Sequence, residues 1–465
     1  MRKGSVTIFS SLAMILVAAM LFSLLEITRF CEIERLSQLQ TELAVEAVFA
    51  NYSTVLWEEY HLLACDTEGT EELLTRYGNS RYDDKTPTVN LLQFQVDKVS
   101  VKGYTRLTDY DGKAYAKAVS AYMQKNILYE SVMNIYNQYE AVRQMLDSLG
   151  LDDSIIGDAL DLLRNQKTKT TQNNKETNPL TEIKEIMERG ILELVLEDTS
   201  QLSEKEAMFD LEQRMLKAGK NPTIGELNWT DKIFLQQYFL CYMSNYLKPQ
   251  KEGALDYELE YIIGNQATDI ENLEHVVTAL LATRMAANFL YLSSNVEKSA
   301  EAEAVAVSLT ALTGNPGIKP VVKKAVLVAW ALGESILDIR ALLSGKRIPL
   351  LKNDLAWTLE LEEIGKISSG FTMSKEAKNG LSYEEYLGIL LLFKQSEHMA
   401  KKAMNIQESF IRQKYDLSDF RMDDYMINSQ IEITYKYRRI FPTYGGREFL
   451  STAEKQIITN AEYEY

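Results

Sequence analysis

Cysteine is scarce in this 465-residue chain, and Cys31, Cys65 and Cys241 lie far apart with no CxxC pair. That spacing excludes a disulfide framework and a cysteine-based zinc site. One disulfide stays open, and the sequence does not say which pair would form it. Histidine is equally thin: His61, His275 and His398 are scattered, sit in helical patterns and give no ligand cluster. HExxH, GxxxxGK(S/T), GxSxG and a post-strand GxGxxG are all missing. The expectation is therefore no catalytic residue, no metal ligand and no cofactor.

What is present is acid. The net charge is -16, and because the first thirty residues hold Arg2, Lys3 and Arg29 against Glu26, the remainder carries -18. A body this acidic repels nucleic acid and anionic lipid surfaces, which favours a soluble domain beside a membrane, and no nucleic-acid partner is expected. With 46% hydrophobic and 25% charged residues, the chain has the composition of a folded protein.

Residues 5–25 contain no charge. As a helix they span roughly 31 Å, the thickness of a bilayer's hydrocarbon core. Arg2 and Lys3 precede them, and the positive-inside rule puts the N-terminus in the cytoplasm and the body outside. No A-x-A-like cleavage site follows, and Phe30 before Cys31 fails a lipobox, so a retained anchor is expected. Beyond it Leu36, Leu39, Leu43, Ala47, Ala50, Thr54 and Trp57 recur at helical spacing, with no Gly or Pro across residues 5–65. One continuous helix, or two collinear ones, follows from that pattern.

Lys3-Gly4-Ser5-Val6-Thr7-Ile8-Phe9, the apolar helix, and Leu25-Glu26-Ile27-Thr28-Arg29 resemble the N-termini of TadE-like minor pilins of tight-adherence pilus systems. The resemblance extends to an uncharacterised Gram-positive family, a domain of unknown function that accompanies Tad-type pilus loci. Its residues here are Leu56-Trp57-Glu58-Glu59-Tyr60-His61-Leu62-Leu63-Ala64-Cys65-Asp66, Leu194-Val195-Leu196-Glu197-Asp198, Ala254 through Asn265, and Leu381-Ser382-Tyr383-Glu384-Glu385-Tyr386-Leu387. It implies protein partners in a pilus or envelope assembly. It also implies processing by a prepilin-type peptidase between Gly4 and Ser5, against which stands a plain uncleaved anchor. The acid that pilins carry five positions after the leader glycine is Phe9 here.

Farther along, residues 90–107 alternate and then shift phase between Val96 and Val99, which predicts a strand with a bulge. Asp109-Tyr110-Asp111-Gly112 reads as a turn opening a helix to about residue 149. An EF-hand register would put Leu107 and Ala118 where acids are required. Residues 165–178 hold no apolar side chain and form a polar linker. Helices are expected over 180–197, 203–218, 230–247, 270–294, 300–313, 319–344 and 382–416. Ala325 to Leu332 is too short for a second membrane span and reads as a core helix. Residues 431–437 and 457–465 alternate as strands, with Tyr444-Gly445-Gly446 as a turn between them; pairing with the strand near residue 94 would make a small sheet.

These readings give an α-rich α+β fold. A cytoplasmic stub and single transmembrane helix (1–30) continue into a long helix. A juxtamembrane region (31–164), linker (165–179), helical ectodomain (180–420) and C-terminal strands (421–465) follow. The most distinctive local sequence is Asp256, Tyr257, Glu258, Leu259, Glu260 and Tyr261. On a helix Asp256 and Glu260 share a face, and structural packing, partner docking and an acid-base carboxylate pair are the readings, in that order. The expected location is the cell membrane, with the bilayer as one partner. The expected role is a noncatalytic component or assembly factor of a Tad-type pilus or related surface apparatus, and the alternative is a tethered binding module or an enzyme whose site is not recognisable.

Overall fold

A computed structural model describes residues 2–79, 91–126, 188–250, 252–313, 316–367, 370–441 and 454–465, with residues 140, 144, 180, 183 and 186. The expected linker, the expected helix beyond Asn126 except for residues 140 and 144, and Tyr444-Gly445-Gly446 fall outside these residues. The fold is helix-dominated, with a long apolar N-terminal helix and a small antiparallel sheet that includes both C-terminal strands. It divides into two compact units, one of Met1–Tyr122, Met215–Glu226 and Arg421–Tyr465, the other of Met123–Arg214 and Leu227–Phe420.

The first unit is organised by α1 (Arg2–Phe49), an unbroken helix of 48 residues. Its first half projects apolar side chains into the open: Val6, Phe9, Met14 and Met20 are each at least two-thirds exposed. An 18-residue window there reaches a mean hydropathy of 2.5, with none of it buried. Its second half is amphipathic, and Ile33, Leu36, Val45, Val48 and Phe49 are buried. They pack on β3 (Tyr425–Arg438), flanked by β2 (Gln95–Arg106) on one edge and β4 (Glu454–Glu464) on the other, all antiparallel. The two-residue β1 (Cys65–Asp66) extends the β4 side, because Met426 pairs with both Cys65 and Arg106.

Alternation in β3 sends Ile431, Ile433, Tyr435 and Tyr437 inward and Glu432, Thr434 and Lys436 to the other face. On β4, Ile457 and Thr459 turn the same way. Thr459 also meets Thr41 of α1, Oγ1 to Oγ1 at 2.6 Å, a polar node that the Tyr435 hydroxyl shares by accepting from Thr41 at 3.2 Å. The bulge expected in the first strand is present as register shifts between Val96 and Lys98, Val101 and Gly103, and Thr105 and Arg106. Asp109 anchors the following turn, its carboxylate accepting from the backbone N–H of Arg106 at 2.7 Å and of Gly219 at 3.0 Å. Tyr110 and Asp111 are left-handed there, and α4 (Lys113–Asn126) begins directly after.

One helix does not run through residues 5–65. It stops at Phe49, and α2 (Thr54–Tyr60) starts anew with Ser53 as N-cap. The chain folds back because Ser53 N–H donates to the Ala64 carbonyl at 2.9 Å and Tyr52 bridges to Cys65. A short α3 (Thr70–Gly78) then packs beside α1, with Leu74 buried.

The second unit is a helical assembly: α5 (Ile191–Val195), α6 (Trp229–Tyr242), α7 (Glu258–Gly264), α8 (Asp269–Ser294), α9 (Val296–Thr313), α10 (Lys319–Leu343), α11 (Tyr383–Leu392) and α12 (Ser396–Lys414). α10 is its axis, buried almost without interruption from Ala325 to Leu343 and packed along α8 and α9. The core-helix reading of Ala325 to Leu332 matches this placement. α8 is also long and apolar enough to cross a membrane, with half of that window buried.

Two expectations over this region are corrected. Residues 203–218 are not helical, because their backbone groups are taken by other segments. Ala207 N–H donates to the Ala267 carbonyl at 2.8 Å, the Lys205 carbonyl accepts from Asp269 N–H at 3.0 Å, and Lys217 N–H donates to Asp423 at 2.9 Å. Residues 382–416 form two helices, the first ending where Phe393 and Lys394 N–H donate to the Leu390 and Leu391 carbonyls in a tightened last turn.

Candidate functional site

The acidic-aromatic run occupies the interior of the second unit. Glu260 is fully buried, Tyr257, Glu258 and Tyr261 nearly so, and Asp256 half-buried. The helix begins only at Glu258, with Tyr257 as N-cap, so Asp256 lies outside it and does not share a helical face with Glu260. The carboxylates hold loops instead. Glu258 accepts from Ser244 N–H at 2.8 Å, and Glu260 from Tyr246 N–H at 2.9 Å and the Tyr383 hydroxyl at 2.7 Å. Asp269, at the start of α8, accepts from the Ser203 hydroxyl at 2.6 Å and Asp256 N–H at 2.8 Å.

Buried backbone donators of this kind need acceptors, and short carboxylate side chains supply them. Burial pushes both Glu258 and Glu260 up to about 7, against the lowering effect of their Ser244 and Tyr383 bonds. In this arrangement the run cements the interior, and of its six residues Asp256 alone keeps partial exposure.

A second interior cluster, one that the residue patterns did not single out, lies along α10. Arg284, Glu334, Asp338 and Lys352 are all fully inaccessible in their side chains, two cations against two anions. Arg284 meets Asp338 at 2.9 Å and also donates to the Pro349 and Leu350 carbonyls and the Tyr386 hydroxyl. Lys352 bonds Glu334, Asp338 at 2.6 Å and the Ser374 hydroxyl at 3.1 Å. Glu334 further accepts from Leu359 N–H at 2.7 Å. Burial pushes the Asp338 carboxyl up, yet Arg284 and Lys352 outweigh it and leave the group below its ordinary range. Burial wins at Glu334, which stays above its own. No solute reaches these side chains, so the cluster orders the core. Its signal in the sequence was Glu334 and Asp338 at i, i+4 within an otherwise apolar run.

Among the described residues no group of three or more His, Cys, Asp or Glu is placed to hold a metal ion. The three thiols are free, with Cys65 buried and Cys31 and Cys241 exposed. His275 on α8 and His398 on α12 are exposed at the surface. Partial burial and then nearby lysines, Lys394 among them, lower both. His61 caps α2 in a left-handed conformation and packs against Trp57 and Tyr122.

The feature with the most distinctive geometry is where α1 leaves its exposed apolar half. Gly4 and Ser5 lie in the first turn of α1, at its far end. At the junction, Glu26 and Arg29 pair at 2.9 Å, both buried against the open end of the sheet. Glu26 accepts from Phe441 N–H at 3.1 Å, Arg29 donates to the Leu91 carbonyl, and the Arg29 guanidinium lies 5.9 Å from the Tyr437 ring. The acidic-basic exit seen in the sequence is thus a clasp between helix and sheet. Beside it opens a cleft of about 300 Å³, bordered by Arg29, Lys436, Arg438 and Glu454.

A family model matches residues 169–437, more than half of the chain, and its description is a family of unknown function, DUF5702. The chain belongs to this family. The DUF5702 match takes in all the helices of the second unit from α5 onward, the buried charge cluster, and strand β3 up to Tyr437. No curated protein and no solved structure matches the chain.

Proposed function

We propose that this DUF5702 protein is a noncatalytic, membrane-anchored extracytoplasmic protein that serves a Tad-type pilus or related surface apparatus as a component or assembly factor. The observation that carries the reading is the division of α1. One uninterrupted helix has an exposed apolar half of membrane-spanning length and a second half buried on an antiparallel sheet. A helix with apolar side chains open all round needs lipid or other helices about it. Such a stem suits both a bilayer and a bundle of like stems.

Arg2 and Lys3 favour a cytoplasmic N-terminus. The similarity of residues 3–9 and 25–29 to TadE-like minor pilins supplies the apparatus. The second unit then lies outside the cell as an acidic body with its charged clusters sealed in the core.

Deletion of the gene in a host that makes Tad-type pili, followed by electron microscopy of surface filaments, tests the proposal. Filaments should be lost or shortened and return with the full chain. Unchanged filament number and length would refute the pilus assignment while leaving the anchor standing.

A further inference from the structure

We infer that Lys352 and Glu334 condense within the folded core, forming an amide bond between their side chains and releasing one water, with Asp338 as the proton acceptor. Lys352 Nζ contacts Glu334 Oε1 and lies 2.6 Å from Asp338 Oδ1, and all three side chains are fully buried. An amine that touches two carboxylates out of reach of bulk water has one to attack and another to take its proton. Cδ of Glu334 lies one bond beyond the oxygen that Nζ contacts, near the separation of about 3–3.5 Å from which such attack proceeds.

The surroundings give the two acids separate roles. Arg284 meets Asp338 Oδ2 from two nitrogens, at 3.0 and 2.9 Å, and Asn288 donates to the same oxygen at 2.9 Å. Burial raises this carboxyl, but Arg284 and Lys352 outweigh it, so Asp338 stays an anion able to accept a proton. At Glu334 burial prevails over Lys352 and holds the group above its ordinary range, so it is the acid that takes up a proton and gives up an oxygen. Leu359 N–H donates to Glu334 Oε2 at 2.7 Å, where it steadies the negative charge that develops on that oxygen during attack.

Lys352 gives one proton to Glu334 Oε1 and a second to Asp338 as the Nζ lone pair bonds to Cδ. The Cδ–Oε1 bond then breaks with its electron pair on the oxygen. Asp338 returns its proton, so that oxygen departs as water and Oε2 remains as the amide carbonyl. One cation and one anion vanish from a core where each charge is costly to desolvate, leaving Arg284 and Asp338 as a neutral pair. The four charges are thus the reactant state. The event is a single closure of the chain on itself, without turnover, and it needs neither the membrane anchor nor the pilus reading. It ties α10 to the segment after Leu350 in a chain whose three thiols are free.

The test is peptide mapping of the purified full chain after denaturation. Trypsin cuts an unlinked chain after Lys352 and releases 325–340, 348–352 and 353–366 as separate peptides. The linked chain resists that cut. It should yield one branched peptide of 325–340 on 348–366, lighter by one water than its two parts, with fragment ions placing the bridge on Glu334. Asp338→Asn, in protein whose tryptophan emission matches the wild type, should lose the branched peptide. The wild-type map decides the bond whether or not that variant folds. Only separate peptides from the wild-type chain, a bridge on Asp338, or a bridge undiminished in folded Asp338→Asn would overturn the inference.

Discussion

Replacing Lys352 by methionine removes one cation from a sealed set of two cations and two anions. Lys352 contacts both Glu334 and Asp338, and no side chain of the four has access to water. Two unit charges 4 Å apart at an effective dielectric of about 20 interact by about 4 kcal/mol. Removing one partner of a buried pair characteristically costs about 3–5 kcal/mol, because the other charge stays behind.

Lys352→Met should therefore lose about 3–5 kcal/mol near pH 8. Protonation limits the damage. The folded-state pKa of Glu334 is already raised by burial, and it rises further once Lys352 is gone. A carboxyl with a raised folded pKa contributes stability below its unfolded pKa and loses it as pH rises through the folded one. The deficit should accordingly shrink toward pH 5. Adding Glu334→Gln restores neutrality around Asp338 and Arg284 and should recover about 1–3 kcal/mol as a coupling energy.

Urea unfolding of the full chain in detergent, followed by tryptophan emission, reads this well. Trp330 and Trp357 pack edge to face 5.8 Å apart, and Lys352 sits 5.8 Å from the Trp357 ring. A loss below about 1 kcal/mol, the level of an exposed ion pair, would refute the reasoning. So would a deficit that is the same at pH 5 and pH 8.

Glu258 and Glu260, both raised to about 7, should make the second unit less stable as pH climbs from about 5 to about 8. The pair Glu258→Gln and Glu260→Gln should flatten that slope in a pH series of melting curves, and an unchanged slope would count against their burial. Gly380→Ala places a Cβ within 2.7 Å of the Arg347 and Ile348 backbone; a loss of about 1–3 kcal/mol is expected from such overpacking, read by denaturant midpoint. Mass spectrometry of the N-terminal peptide from native membranes should find a chain beginning at Ser5 on the pilin-like route, whereas retained Arg2-Lys3-Gly4 would mark a static anchor.

The parts of the fold legible in the sequence are those fixed by local pattern. Residues 5–25 declare a lipid-length helix, Ile431 to Tyr437 declare a strand by strict alternation, and the phase shift after Val96 marks the bulges in β2. Breaks without punctuation were not legible. Ala50 to Ser53 contain neither Gly nor Pro, and the chain turns there because Ser53 pairs with Ala64, a contact set by the fold. Residues 203–218 carry helical spacing yet give their backbone hydrogen bonds to Ala267, Asp269 and Asp423, tertiary partners that outweigh a weak propensity.

The candidate sites divide in the same way. Glu26 and Arg29 stood out as an acidic-basic exit, but their grip on Phe441 and Leu91 joins residues far apart in the chain. Arg284 and Lys352 gave no local sign at all, since each acquires its meaning only across helices α8 and α10 and the loop after Leu350.

The central claim, an anchor with its body outside the cell, is tested most directly by Cys241. Its thiol is exposed, Cys65 is buried, and Cys31 can be removed by Cys31→Ser. Partial burial raises the Cys241 thiol above its ordinary value, so labelling is run at alkaline pH, where the reactive thiolate is more populated. A membrane-impermeant maleimide applied to intact cells should modify Cys241 to the same extent as in lysed cells. Modification that appears only after lysis would contradict the account.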